Sequence, residues 1–265
     1  VSVKGYMIDV QGTLISDGDK SPIPGSLEAL RRLREEGVPF VLVTNNTKQE
    51  SEAFRTYLQD LGFGFEEGQY LDPLMVLTRR VPPAPVTAYG APNFLEVLKK
   101  EGYTLNCDAP EAVLVAIRSD YTNDDYAGMI EAVLGGAKLI GMHETSLYVK
   151  NGRRYPGVGA ILKMVAFATG RAYEVVGKPS DAFYAEALER LRRQGMDGGY
   201  EAVEMISDDL IGDLAGAKRL GMRTTLVLSG KVASVAEIPP SARAWADRVA
   251  NDIGVVFGVE RRRTA

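Results

Sequence analysis

One cysteine, one histidine and no basic excess bound this chain of 265 residues before any motif is read. A single thiol, Cys107, excludes an internal disulfide framework and a cysteine metal cluster, and it reads as a partly buried free thiol. With 31 Lys and Arg against 35 Asp and Glu, the formal charge is -4. No cation surplus is available to neutralise a phosphate backbone, so no nucleic-acid partner is expected. No apolar run reaches the ~20 residues of a membrane span, and the first strand pattern begins without a charged and apolar leader. No membrane association and no signal peptide are therefore expected, which makes a cytoplasmic protein the expectation. The run Arg261-Arg262-Arg263 reads as a solvated tail. What is present, 45% hydrophobic and 25% charged residues, is the balance of a folded globular chain rather than a disordered one.

The length suits one large α/β domain or a core with an inserted second domain. Apolar runs alternate with helical patterns, the signature of parallel sheets flanked by helices. Tyr6 to Ile8 reads as a strand ending in Asp9, and a helix then runs from Ser26 to Glu36 with Leu27, Leu30 and Leu33 on one face. Pro39 to Val43 is continuously apolar, as a strand covered on both faces must be, and Thr44-Asn45-Asn46 follows it. Arg79 to Pro85 breaks the pattern and reads as a junction or a surface loop. A second series follows: strands at Val86–Tyr89, Ala112–Ile117 and Lys138–Ile140, with helices at Asn93–Glu101 and near Asp124–Leu134. From Tyr173 the chain returns to strand, helix, strand, with helices at Ser180–Arg193 and Asp213–Leu220. The expected architecture is a doubly wound, Rossmann-like parallel-sheet core from residues 1–80 and 174–265, carrying an inserted α/β cap over 81–173. A cleft between core and cap is the natural substrate site.

Four short motifs end predicted core strands, where open parallel sheets bind ligands. They are Asp9-Val10-Gln11-Gly12-Thr13, Thr44-Asn45-Asn46, Gly177-Lys178-Pro179 and Ser207-Asp208-Asp209-Leu210-Ile211-Gly212-Asp213. Each alone is compatible with turn chemistry. Together they suit phosphoryl transfer, which asks the protein for positioning and charge neutralisation. Asp9 is ionised at neutral pH and can attack phosphorus. Asp9 and Asp208 offer the hard oxygens that Mg²⁺ takes at about 2.0 to 2.1 Å. Lys178 adds a positive charge, and Thr44 and the turn amides add donors. Three acids at one strand end would repel one another without a cation.

These motifs resemble those of the haloacid dehalogenase superfamily, and the likeness runs over nearly the whole chain. Leu139-Ile140-Gly141-Met142-His143, Tyr148 and Pro156-Gly157-Val158-Gly159-Ala160 are similar to the NagD-like branch with a large α/β cap. The resemblance implies a Mg²⁺-dependent phosphatase that works through an aspartyl phosphate on a small phosphorylated substrate. It makes Asp9 nucleophile and metal ligand, gives the metal the Gln11 backbone carbonyl and the Asp208 carboxylate, and makes Asp209 and Asp213 supporting residues. Thr44, Asn45 and Lys178 become the phosphate-binding set, with Lys178 also catalytic. By analogy with related folds, an exposed cap sheet edge would pair two chains as a homodimer.

Gln11 departs from the pattern, because the superfamily's phosphatases usually carry there an aspartate that protonates the leaving oxygen and later activates water. An amide does neither. General acid-base help is worth about a hundred- to ten-thousand-fold, so alkyl phosphates should be poor substrates. Acyl phosphates, aryl phosphates and protonated phosphoramidates leave without that proton. A binding or regulatory module with little turnover is the alternative. A literal dehalogenase needs no Mg²⁺ and leaves Asp208 unexplained.

Other residues carry simpler readings. His143 sits at the end of a cap strand, where it is either a structural or surface group or a substrate contact in the cleft, and Glu144 shares that choice. Asp124-Asp125 begin a helix whose free amides they oppose. Gly135-Gly136 stop it. Tyr121, Tyr126 and Tyr148 are interface or packing residues.

Overall fold

A computed structural model describes residues 2–150 and 153–259; the Arg261-Arg262-Arg263 tail lies outside the described residues. The chain divides into two compact units, one formed by 1–44, 52–71 and 184–265, the other by 45–51 and 72–183. Both are α/β.

In the first unit six strands pair in parallel in the order Arg248–Ala250, Arg223–Val227, Val203–Ser207, Gly5–Asp9, Phe40–Val43, Tyr70–Leu71. This is a Rossmann-like sheet. From the central strand Gly5–Asp9 the chain first adds strands on one side and later on the other, which creates a topological switch beside Asp9. Every residue of Phe40–Val43 is buried, as a strand covered by helices on both faces requires. The helix Ser26–Glu35 buries Ala29, Leu30 and Leu33. Its backbone enters from Gly25 at φ 83°, a left-handed turn that glycine adopts freely.

The second unit holds a five-stranded parallel sheet in the order Tyr173–Val175, Lys138–Gly141, Ala112–Val115, Pro85–Tyr89, Thr104–Leu105. The strands Leu147–Lys150 and Arg153–Pro156 form a separate antiparallel pair. Val113, Val115, Met129, Val133, Leu139, Ile161, Leu162 and Val165 make one buried cluster between this sheet and the helices Asn123–Leu134 and Val158–Thr169. Tyr121 and Tyr126 stack at 5.8 Å against that cluster, and the Tyr121 hydroxyl donates to the Tyr89 and Ala116 carbonyls. Both are thus packing residues.

Two expectations change in detail. Arg79 and Arg80 are not loop residues: they close a helix, Pro73–Arg80, whose start is fixed by the Asp72 side chain on the Met75 amide and by proline in its first turn. Their cations sit at its C-terminal end, where they oppose the helix dipole. The helix expected at Asp213 begins earlier, as a wide turn over Leu210–Leu214 that continues as Ala215–Arg219, because Asp209 caps it. The start of Asn123–Leu134 is a reciprocal cap in which Thr122 Oγ1 accepts the Asp125 amide at 3.2 Å and Asp125 accepts the Thr122 amide at 2.8 Å. Cys107 is partly buried and free, its Sγ 3.6 Å from the Thr104 carbonyl. Among the described residues no helix is long and apolar enough to cross a membrane.

Candidate active site

The register of the first sheet sets Asp9 beside Val43, and Ile8 beside Ile206. Thr44 and Asp208 therefore follow the last residues of the two strands that flank Asp9. Three polar groups from distant parts of the chain end at one edge of one sheet, at the switch. All three are buried: Asp9 is 5% exposed, Thr44 0% and Asp208 1%.

After Asp9 the chain turns through Gly12 at φ 77°, and the Gly12 amide donates to the Ile15 carbonyl at 2.8 Å while the Leu14 amide returns to Val10 at 2.8 Å. Thr13 Oγ1 lies 3.4 Å from Asp9 Oδ2. Gln11 does not point its side chain idly to solvent: Thr44 Oγ1 donates to Gln11 Oε1 at 2.7 Å.

Asp208 lies between two glycines. A methyl group on Gly12 would come within 2.2 Å of Asp208 Oδ2, and one on Gly230 within 2.0 Å. The carboxylate thus fills the space that both missing side chains leave. The Lys231 amide donates to its Oδ2 at 2.8 Å, and Ser229 Oγ donates to the Gly12 carbonyl at 2.7 Å. Ser229, Gly230 and Lys231 escaped the sequence reading, although the signal was available: they follow the strand Arg223–Val227 at the same carboxyl-end edge as the motifs that were recognised.

The three acids after Ser207 have different partners. Asp209 Oδ1 accepts the Gly212 amide at 2.7 Å, and Oδ2 pairs with the Lys231 ammonium. Asp213 Oδ2 accepts the Ser207 hydroxyl at 2.7 Å, and the Asp213 carbonyl accepts the hydroxyl of the fully buried Tyr184 at 2.9 Å. Protein donors thus answer Asp209 and Asp213, and mutual repulsion is not what calls for a cation. Burial pushes the Asp208 carboxyl up to about 6, the Lys231 amide and ammonium opposing and Asp213 and Asp209 adding to the rise. Partial burial lowers the Lys231 ammonium, but the Asp209 carboxylate outweighs it and holds the group above the usual lysine range.

A hard divalent cation fits this donor set. The side chains offered are carboxylate oxygens on neighbouring strand ends, and Asp208 is a buried anion with one backbone donor. Among the described residues no three carboxylate, imidazole or thiolate groups converge as a ready-made cage. An ion held here would take two carboxylates and complete its shell with backbone and water oxygens, the habit of Mg²⁺ rather than of zinc.

The remaining predicted residues belong to the second unit. Lys178 is 2% exposed, which rules out a solvent-facing lysine. Its backbone is gripped by Asn45, whose Oδ1 accepts the Lys178 amide at 2.8 Å and whose Nδ2 donates to the Lys178 carbonyl at 3.2 Å. Gly177 is glycine because a side chain there would meet the Met142 carbonyl at 2.2 Å. The motif Thr44-Asn45 and the motif Gly177-Lys178-Pro179, 133 residues apart, are thereby tied through Asn45. His143 is buried, with Nδ1 2.9 Å from Thr145 Oγ1. Glu144 accepts the Tyr173 hydroxyl at 2.7 Å and lies 3.5 Å from Lys163 Nζ. Burial and the Glu144 carboxylate together push that tyrosine up to about 12.

Comparison with known proteins bears on the same segments. Residues 6–104 match the family model for haloacid dehalogenase-like hydrolases, and 175–255 match a second, HAD-hydrolase-like model. The chain is 31% identical over 239 residues to haloacid dehalogenase-like hydrolase domain-containing protein 2 of Rattus norvegicus, covering 86% of this chain and 85% of the relative. It is 28% identical over 264 residues to phospholysine phosphohistidine inorganic pyrophosphate phosphatase of the same organism, covering 96% and 94%. The solved p-nitrophenyl phosphatase from Archaeoglobus fulgidus superposes with a TM-score of 0.80 at 26% identity, over 98% of this chain and all of that one. NagD from E. coli K-12 shares the fold, with a TM-score of 0.73 at 24% identity over 96% and 98%.

Proposed function

The chain belongs to the NagD-like branch of the haloacid dehalogenase-like hydrolases and is a phosphatase, and from that premise we propose a Mg²⁺-dependent phosphohydrolase that passes through an aspartyl phosphate on Asp9. The observation that carries this reading is the convergence of Asp9, Thr44 and Asp208 on three adjacent strand ends at the switch of the first sheet. An Asp9 oxygen forms a bond to phosphorus as the bond to the leaving oxygen or nitrogen breaks, and the electron pair goes with the leaving group. Water then attacks the acyl phosphate and frees Asp9 and inorganic phosphate. Asp9, Asp208 and the Gln11 backbone carbonyl would hold the divalent ion, which when bound offsets the repulsion between carboxylate and phosphate. Thr44, Asn45 and Lys178 form the phosphate-binding set, and Asp209 and Asp213 support Lys231 and the Ser207 turn. Residues 81–173 form the cap that selects the substrate.

Gln11 directs the substrate class. With no acid two residues after the nucleophile, substrates whose leaving group departs unprotonated are favoured: acyl, aryl and protonated N-linked phosphates, and anhydrides. Both full-length relatives named above fit a small-molecule phosphatase, and one bears N-linked phosphates and pyrophosphate in its name. The test is phosphate release with Mg²⁺ from acetyl phosphate, p-nitrophenyl phosphate, imidodiphosphate and a sugar phosphate, with Asp9→Asn as the blank. Turnover of the activated compounds that vanishes in the variant is expected. Restoring a carboxyl by Gln11→Asp should raise turnover of the sugar phosphate by about ten- to a thousand-fold. Mg²⁺-dependent phosphate binding without turnover of any compound would favour a binding module, the reading to which the missing acid points.

A further inference from the structure

The Thr44 hydroxyl has one proton, and it is given to Gln11 Oε1 at 2.7 Å. A phosphate oxygen and an amide carbonyl cannot both receive that proton. The carboxamide offers a way out, because its carbonyl only accepts while its nitrogen carries two protons. Holding Oε1 fixes the plane of the amide, and among the described residues Gln11 Nε2 donates to no protein group. The side chain is only partly buried, so those protons face neither a filled core nor a partner. Thr44 by contrast is wholly buried at the end of the neighbouring strand, where it makes a rigid support.

We propose that the Gln11 amide nitrogen is the side-chain donor to the phosphoryl group at this strand pair, and that Thr44 is a positioning residue that holds the amide rather than a direct phosphate ligand. The position where related phosphatases carry an acid has become an anion-binding donor here. This rests on the phosphohydrolase reading of the site and changes the part Gln11 plays in it. An anion held by a fixed amide is stabilised alike in substrate and aspartyl phosphate, so Gln11 lowers KM without supplying a proton. The ligand class that follows is a phosphoryl group whose leaving group needs no acid.

A double-mutant cycle on the affinity for inorganic phosphate, measured by calorimetry with saturating Mg²⁺, tests the proposal. Gln11→Ala is expected to weaken phosphate by about 10- to 100-fold, the usual worth of a hydrogen bond to a charged group. Thr44→Val should weaken it about 3- to 10-fold in the natural background and by less than about 2-fold when Gln11→Ala is already present. Thr44→Ser keeps the hydroxyl and should restore natural affinity. Gln11→Glu keeps the acceptor for Thr44 but replaces the donor by an anion, and should bind phosphate no better than Gln11→Ala. Equal losses from Thr44→Val in both backgrounds would overturn the proposal, since Thr44 would then touch phosphate itself. Unchanged affinity in Gln11→Ala would do the same. Gln11→Met, close in shape and without either polar atom, serves if the alanine variant does not fold. Turnover of acetyl phosphate is read in parallel. A preserved cycle with no turnover would defeat the hydrolase reading and leave this one standing, whereas turnover with an additive cycle would do the reverse; no phosphate binding by the natural protein would defeat both.

Discussion

Asp208 is held at a cost that the metal-free protein should reveal. Its carboxyl titrates at about 6 in the folded chain against 3.8 for the ordinary side chain, chiefly because it is buried. Between those values the folded protein keeps a proton that the unfolded chain has lost, so stability falls as pH rises through the window from about 4 to about 6. A rise of about two units corresponds to about 3 kcal/mol at neutral pH. Asp208→Asn keeps the shape and the acceptor for the Lys231 amide but removes the charge. In EDTA at pH 7.5 the variant should therefore be more stable than the natural protein by about 2 to 3 kcal/mol, or roughly 4 to 10 °C in Tm for a chain of this size. At pH 4 the two should coincide. Mg²⁺ reverses the order, because it binds the carboxylate and displaces the proton; its stabilisation of the natural protein should grow as pH rises through about 6 and be largely absent in the variant. The assay is thermal unfolding of both proteins at pH 4, 6 and 7.5, with EDTA and with Mg²⁺. A variant less stable than the natural protein in EDTA at pH 7.5 would refute the reasoning, for it would mean that the ionised carboxylate is satisfied by the fold alone.

Two further tests address the supports of the site and of the second unit. Gly230→Ala would drive a methyl group to 2.0 Å from Asp208 Oδ2 without a left-handed backbone to complicate the result. It should cost about 1 to 3 kcal/mol as overpacking does, and weaken Mg²⁺ affinity at least about ten-fold, measured by calorimetry. Thr122→Ala removes one half of the reciprocal cap on Asn123–Leu134 and should cost about 1 kcal/mol, visible as faster amide exchange in that helix with unchanged phosphate release.

Much of this protein was legible without coordinates. The alternation of apolar runs with helical periods announces two parallel sheets, because strands covered on both faces must be apolar throughout, as Phe40–Val43 is. Buried acids and donors at the ends of such runs, at Asp9, Thr44 and Asp208, mark the functional edge for the same reason: they are too costly to bury without a purpose. Ser229-Gly230-Lys231 was less legible, since a serine, a glycine and a lysine after a strand describe almost any turn. Only the pairing of Arg223–Val227 beside Val203–Ser207 brings the Lys231 amide onto Asp208. The start of the helix after Asp208 was misread because a capping carboxylate and a metal-site acid look alike in sequence, and it takes the Gly212 amide to tell them apart for Asp209. Sequence alone thus determined the α/β class and the residue types of the site, because hydrophobic periodicity and the price of burying charge are local properties. Tertiary structure decided the partners: that Thr44 spends its proton on Gln11, that Asp209 and Asp213 are answered by protein donors, and that Asp208 fills the room left by two glycines. Hydrogen bonds join atoms within about 3 Å, and only the folded register brings residues 11 and 44, or 12, 208 and 230, that close.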